Sequence, residues 1–316
     1  MASTMIYPWQ QTLWHRICQQ WQQQRLPHAW LLHGAQGLGK MAFVSHFSKA
    51  LLCENSNKNC HPCEHCHACT LFDANNHPDF TLYQTDEKNK TITIDKVRQL
   101  INTVQLTPRY GRYQIIVLAP AETMNIAASN ALLKVLEEPP AQTLFFLIAQ
   151  QPQRLPLTIR SRCQAWSFDR CELKLKQQWL QQQMPQLDMD TLLQLSNQPL
   201  LAENQWQQME QQQQIINDWQ KTQTGQQNIV TTANTWAKLE HNQLFIWLYQ
   251  TTRQLIKTRL IQSPNHRLQA LSNSMQKLSN QQLFLLLDSI THHQQLCNQH
   301  QLKPQSCFES ILLTTQ

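Results

Sequence analysis

Residues 29–41 read Ala-Trp-Leu-Leu-His-Gly-Ala-Gln-Gly-Leu-Gly-Lys-Met, a short apolar run followed by a glycine-rich turn. The run from Ala29 to His33 predicts a buried strand, and the periodic apolar residues from Met41 to Leu52 predict a helix. The turn between them meets the pattern G-x-x-x-x-G-K of a phosphate-binding loop, whose backbone N–H groups form a nest for phosphate oxygens. The candidate nucleotide-binding residues are Gly34, Gly37, Gly39 and Lys40.

Two elements that usually hold magnesium in such a site are missing from this sequence. The residue after Lys40 is Met41, where a Ser or Thr hydroxyl would ligate the metal. The apolar run 113–119 predicts a second buried strand, and it ends in Ala119-Pro120 where an acidic residue is expected. Glu122 lies past the strand end and is a weaker substitute. Without the metal, we expect negligible ATP hydrolysis. The plainer alternative for the turn is a tight strand–helix connection with a surface lysine.

Five cysteines lie close together in an insert at residues 53–69. Cys63, Cys66 and Cys69 are spaced C-x2-C-x2-C, which favours a closed, structural zinc site with four cysteine ligands. The fourth ligand is left open at this stage, because Cys60 is nearest in sequence and Cys53 ends the preceding predicted helix. An iron–sulfur cluster would need three residues before its last Cys and a Pro after it, and this sequence has neither.

The order of the predicted elements indicates an α/β fold with a parallel sheet. Further strands are predicted at 80–83, 144–149 and 165–168, and helices at 9–24, 95–106 and 125–138. Strands that alternate with helices are typical of parallel sheets covered on both faces. After residue 168, Leu, Trp and Gln recur at helical spacings. We therefore predict an α/β domain at 1–168, followed by one small and one larger helical domain.

Composition narrows the class of protein without naming a function. The 316 residues include 50 Gln, more than the 46 residues of Asp, Glu, Lys and Arg together, and the net charge is +6. That charge is too small for a dedicated nucleic-acid binder. There is no long apolar segment and no signal-peptide pattern, so we expect a cytoplasmic protein, in which ten cysteines indicate thiols or a metal site.

Four blocks in a fixed order carry a family resemblance. After the loop at 30–40 and the cysteine insert come Asn-Ala-Leu-Leu-Lys-Val-Leu-Glu-Glu-Pro-Pro at 130–140 and Thr-Ile-Arg-Ser-Arg-Cys at 158–163. This order closely resembles the delta-prime family of bacterial DNA polymerase III clamp-loader subunits, which are AAA+ proteins. The resemblance covers residues 25–168 strongly.

The resemblance implies a fold and a set of roles. It implies an AAA+ domain of the RecA-like, P-loop NTPase type at 1–168, an all-α lid at 169–208 and an all-α collar at 209–316 that serves oligomerisation. It implies zinc held by Cys53, Cys63, Cys66 and Cys69, with Cys60 as an alternative ligand. It also implies that Arg162, in the Ser-Arg-Cys block, acts as an arginine finger on a neighbouring subunit's ATP. The plainer alternative for Arg162 is a solvated residue at a helix end.

The resemblance also implies partners. These are the gamma/tau and delta clamp-loader subunits, with the sliding clamp and primer–template DNA contacted through the assembled complex and no membrane involved. The chain would be a non-hydrolysing subunit of a DNA polymerase holoenzyme, with weak or no ATP binding. The main alternative is a catalytically active clamp-loader ATPase of the gamma/tau type. A zinc-dependent nucleic-acid-binding protein without ring partners is the second alternative.

Overall fold

The computed structural model describes residues 6–56, 60–85, 91–104, 108–109, 113–261, 278–299 and 302–314. The chain divides into two compact units, Met1–Gln205 and Trp206–Gln316. The first unit holds the sheet, and the second is helical in its described part. The finer predicted division, at residues 168 and 208, stays a prediction.

A five-stranded sheet forms the centre of the first unit, in the order β2-β3-β4-β1-β5. Each neighbouring pair is parallel, which confirms the predicted parallel sheet. The strands are β1 (Ala29–His33), β2 (Phe80–Gln84), β3 (Gln114–Ala119), β4 (Thr143–Ala149) and β5 (Gln164–Ser167). The central strands β3 and β4 are buried along their whole length, as their uninterrupted apolar sequences predict.

Helices cover both faces of this sheet. They are α1 (Gln11–Gln22), α2 (Lys40–Leu52), α3 (His67–Asp73), α4 (Ile94–Val104), α5 (Ile126–Glu137) and α6 (Leu157–Arg160). Two further helices, α7 (Leu173–Gln183) and α8 (Met189–Leu195), follow the last strand. Side chains alternate across a strand, so β1 contributes to two cores. Trp30 packs in the core with α1 and α2, whereas Leu31 packs in the core with α4, α5 and α6.

The remaining α-helices in the described part of the chain are α9 (Ala202–Gln223), α10 (Ile229–Trp236), α11 (His241–Ile261), α12 (Asn280–Asn298) and α13 (Pro304–Leu313). The core of the second unit is aromatic at its centre. Phe308 is fully buried, stacks on Phe245 with ring centroids 4.9 Å apart, and meets Trp236 edge-on at 6.0 Å. None of the described helices is long and apolar enough to cross a membrane.

Candidate functional site

The glycine-rich turn lies at the carboxyl end of β1, directly before α2. Gly37 and Gly39 have φ of +77° and +80°, a backbone conformation that side-chain-bearing residues rarely adopt. The turn therefore has the backbone conformation that its glycine spacing predicts. Whether its residues bind a nucleotide depends on the groups that surround it.

Two charged side chains contact the backbone of this turn, one of them buried and the other exposed. Lys40 is buried, and its Nζ donates to the carbonyl oxygens of Gly34 and Ala35, each at 2.6 Å. Burial lowers the pKa of Lys40, while the carboxylates of Asp169 and Glu122 oppose that shift. The backbone N–H of Ala35 donates to Asp169 Oδ1 at 2.9 Å. An exposed carboxylate thus holds one backbone N–H group of the turn.

The N-terminal segment covers the turn from one side. The side chains of Trp9 and Gln10 both donate to the carbonyl oxygen of Leu38, at 3.1 and 2.9 Å, and Gln10 is fully buried. A methyl group added at Gly39 would lie 2.9 Å from the ring of Tyr7. These contacts leave little space beside the last residues of the loop.

A second segment, at residues 198–201, covers the turn elsewhere. The backbone N–H of Leu200 donates to the carbonyl oxygen of Gly37 at 3.1 Å. A methyl group added at Gly37 would lie 3.0 Å from Leu201 and 3.1 Å from Gln198. Trp179 of α7 packs edge-on against the rings of Tyr7 and Trp9, so the predicted lid region and the N-terminal segment are in contact.

The candidate substitute for the magnesium ligand has another role. Strand β3 ends at Ala119, as predicted. Glu122 follows it, and its Oε1 accepts hydrogen bonds from the backbone N–H groups of Gln150 and Gln151, at 2.8 and 3.1 Å. The carboxylate therefore caps the backbone that follows β4, which weakens the case for Glu122 as a metal ligand.

The candidate metal centre gathers four thiols. The sulfurs of Cys53, Cys63, Cys66 and Cys69 all lie within 4.8 Å of one another. The Cys53 and Cys66 sulfurs are 3.8 Å apart. Tetrahedral ligands with Zn–S bonds of about 2.3 Å would be separated by about 3.8 Å, so the spacing fits zinc.

Burial raises the pKa of Cys53 and Cys69, and backbone N–H donors in the group act in the opposite direction, towards the thiolate form that zinc needs. The N–H of Cys63 donates to the sulfur of Cys53 at 3.2 Å, and the N–H of Cys69 donates to the sulfur of Cys66 at 3.4 Å. The backbone N–H of His65 is the main group that lowers the pKa of Cys63 to about 6. A zinc ion held here would join the end of α2 to the start of α3.

Cys60, the alternative ligand from sequence, has a different partner. It is buried, packs in the core that includes α1, and shares a hydrogen bond with Cys18. That hydrogen bond lowers the pKa of Cys60 and raises the pKa of Cys18. Among the residues that the structure describes, the group of thiols that could hold a metal contains Cys53 and not Cys60.

Arg162 lies at the amino ends of the parallel strands, whereas the glycine-rich turn lies at their carboxyl ends. Strands β1 and β5 are parallel neighbours with Trp30 opposite Gln164 and His33 opposite Ser167. Arg162 precedes β5, whereas the turn follows β1. The four residues of β5 span roughly 10 Å, because a strand rises about 3.3 Å per residue. Arg162 is therefore remote from the glycine-rich turn of its own chain.

Comparison with known proteins identifies the family. A family model described as "DNA polymerase III, delta subunit" matches residues 9–172. The DNA polymerase III subunit delta' of Pseudomonas aeruginosa is 34% identical over 261 residues, which are 81% of this chain and 78% of that protein. This chain belongs to the delta' family of DNA polymerase III subunits. The delta' subunit of Escherichia coli K12 is 36% identical over 157 residues, 50% of this chain and 47% of that protein.

Membership of the delta' family confirms two predictions from sequence: the family itself and the role of a DNA polymerase III subunit. The parallel sheet, followed by helices in the described part of the second unit, confirms the predicted α/β fold class. The chain spans about half the length of the E. coli relative that it matches. Among solved structures, a gamma subunit-related protein of DNA polymerase III from Thermotoga maritima covers 96% of this chain and 97% of its own, with 17% identity and a TM-score of 0.39.

Sequence reasoning missed some residues of the delta' loop. Asp169, Trp9 and Gln10 contact the turn from distant parts of the chain. One feature of the sequence could have suggested Asp169. Asp169 follows a predicted strand, and the carboxyl ends of parallel strands lie on the same side of a sheet. The sequence did not show that β5 neighbours β1, so it did not show that Asp169 lies beside the glycine-rich turn.

Proposed function

We propose that this delta' subunit does not hydrolyse ATP and instead supplies Arg162 to the nucleotide site of a neighbouring ATPase subunit in the clamp loader. A guanidinium at that site would stabilise the negative charge that develops on the γ-phosphate. The observation that carries the proposal is that Arg162 lies at the amino ends of the strands, away from its own glycine-rich turn at their carboxyl ends. A nucleotide that Arg162 contacts must then belong to another chain.

The surroundings of the delta' subunit's own loop support the absence of hydrolysis. Lys40 Nζ is held by two backbone carbonyl oxygens, and Asp169 takes the N–H of Ala35. Met41 and Ala119 stand where magnesium ligands are expected. A nucleotide bound there would bring its phosphates near the Asp169 carboxylate without a metal to offset their charge, so we expect weak ATP binding or none.

The remaining roles follow from the family. We propose that the subunit assembles with gamma/tau and delta subunits through its collar, residues 209–316, with residues 169–208 as the lid. It acts in the cytoplasm and meets the sliding clamp and primer–template DNA through the assembled complex. Zinc bound by Cys53, Cys63, Cys66 and Cys69 is structural, because four protein ligands leave no open position for chemistry.

The test is ATP hydrolysis by a reconstituted clamp loader that contains the Arg162→Ala subunit. We expect assembly to be unchanged and turnover at the neighbouring site to fall by about 10³-fold or more. Arg154→Ala is the matched control, since it removes an exposed arginine from the same segment. If the two variants hydrolyse ATP at the same rate, the proposed arginine finger is wrong.

A second candidate function is ATP hydrolysis by the chain itself, in the manner of gamma/tau. The observation in its favour is that Gly37 and Gly39 keep positive φ and that Lys40 is present. This function predicts turnover by the purified subunit that Lys40→Ala abolishes. We expect instead no turnover above that of the variant.

A further inference from the structure

The guanidinium of Arg162 has two partners within its own chain. Its Nη2 lies 2.7 Å from Oε1 of Glu137, and its Nη1 donates to the carbonyl oxygen of Thr158 at 3.0 Å. The Arg162 side chain is 36% exposed and that of Glu137 is 50% exposed. The arginine is thus held at two of its nitrogens and still reaches the surface.

The backbone on both sides of this ion pair is fixed by the core. Glu137 is the last residue of α5, and Leu136 beside it is buried. Arg162 is followed by buried Cys163, and Ile159 of α6 is fully buried in the same core. The helices α5 and α6 therefore hold the backbones of Glu137 and Arg162 at a defined separation. The ion pair then restricts the rotamers of the Arg162 side chain.

We infer that Glu137 is a positioning residue, which holds the Arg162 guanidinium in the orientation that a neighbouring subunit's γ-phosphate meets. This inference rests on the proposed function of Arg162. The guanidinium is planar and has five N–H donors, so two contacts fix its plane and leave three donors for phosphate oxygens. An arginine that is ordered beforehand loses less freedom when it binds its target.

The half-exposed pair is weak enough to leave the arginine available. Exposed ion pairs are modest in strength, because water screens both charges. The carboxylate of Glu137 therefore orients Arg162 without outcompeting a phosphate that carries more charge and more acceptor oxygens. Glu138 is adjacent, exposed and equally charged, which makes it a matched control.

The experiment measures steady-state ATP hydrolysis by reconstituted clamp loaders that contain Glu137→Ala, Glu138→Ala, Arg162→Ala or the double variant Glu137→Ala with Arg162→Ala. We expect Glu137→Ala to lower kcat about fivefold with the KM for ATP unchanged, and Glu138→Ala to keep kcat within about twofold. In the Arg162→Ala background, Glu137→Ala should have no further effect. Gel filtration and thermal unfolding of each loader check that folding and assembly are intact.

The outcomes separate this inference from the proposed function. If Arg162→Ala leaves turnover unchanged, the arginine finger itself is wrong. The positioning role alone is overturned if Arg162→Ala lowers turnover and Glu137→Ala either behaves like Glu138→Ala or raises turnover. It is also overturned if Glu137→Ala lowers turnover further in the Arg162→Ala background.

Discussion

The carboxylate of Asp169 accepts a hydrogen bond from the backbone N–H of Ala35, at 2.9 Å, inside a turn whose sequence is typical of phosphate binding. A methyl group added at Gly34 would lie 2.9 Å from the same carboxylate oxygen. The two contacts place a negative charge beside the first two residues of the loop. The loop therefore has a carboxylate beside it in addition to the segments that cover it.

Removing this carboxylate should partly restore nucleotide binding. We expect Asp169→Ala to raise the affinity for a fluorescent ATP analogue by about tenfold, because a like charge near the phosphates is lost and the Ala35 N–H is freed. Glu172→Ala removes an exposed carboxylate from the same segment and should change the affinity little. Equal affinities for the two variants would show that Asp169 does not oppose nucleotide binding.

The zinc site predicts one metal ion per chain, measurable by elemental analysis of the purified protein. We expect Cys63→Ser to lose the zinc and Cys60→Ser to keep it, because Cys63 lies in the four-thiol group and Cys60 pairs with Cys18. Retention by Cys63→Ser, or loss by Cys60→Ser, would contradict the ligand assignment.

Zinc affinity should also fall as the pH falls. The hydrogen bond from the N–H of His65 contributes most to lowering the pKa of Cys63 to about 6, so this thiol is ionised at pH 7 and becomes protonated below about pH 6. Protons then compete with the metal for the sulfur. A competition titration against a chromophoric chelator at pH 7.5 and pH 5.5 measures the change. An affinity that stays constant over this range would contradict thiolate ligation.

The ion pair between Lys49 and Asp73 joins α2 to α3. Lys49 Nζ lies 2.8 Å from Asp73 Oδ1, and the lysine is 3% exposed whereas the aspartate is 49% exposed. Asp73→Ala leaves a buried ammonium without this partner, so we expect it to lower the free energy of unfolding by about 1–3 kcal/mol. Lys49→Met should cost less, since it removes the buried charge as well. Urea unfolding of the zinc-loaded protein measures the loss of unfolding free energy for each variant. A larger loss for Lys49→Met than for Asp73→Ala would contradict this account.

The aromatic centre of the second unit predicts a large stability effect. Phe308→Ala should destabilise residues 206–316 by about 3–5 kcal/mol, because it opens a cavity beside Phe245 and Trp236. Phe284→Ala is the control, since Phe284 is 51% exposed and should cost little. Hydrogen exchange of peptides from this unit in the full chain measures both variants. Similar exchange rates would show that Phe308 is not central to this core.

The sequence predicted the elements of the first unit because their signals are local. Apolar runs placed β1, β3 and β4 within a residue or two of their observed bounds, and glycine spacing predicted the turn before α2. The same local reasoning recognised Met41 and Ala119 as unsuited to magnesium. The C-x2-C-x2-C spacing likewise predicted a metal site, because three of its ligands lie within seven residues.

What only the tertiary structure decided depends on residues far apart in the chain. The pairing of β5 with β1 brings Asp169 to the loop after β1 and leaves Arg162 at the other end of the strands. The packing of α5 and α6 in one core pairs Arg162 with Glu137. The path of the chain between α2 and α3 gathers Cys53 with the other three thiols, as the family resemblance implied, and places Cys60 beside Cys18, which the sequence did not show. Local patterns determine which elements form, because periodicity acts within a few residues. Which side chains meet depends on how those elements pack, and packing energy is shared across the whole core.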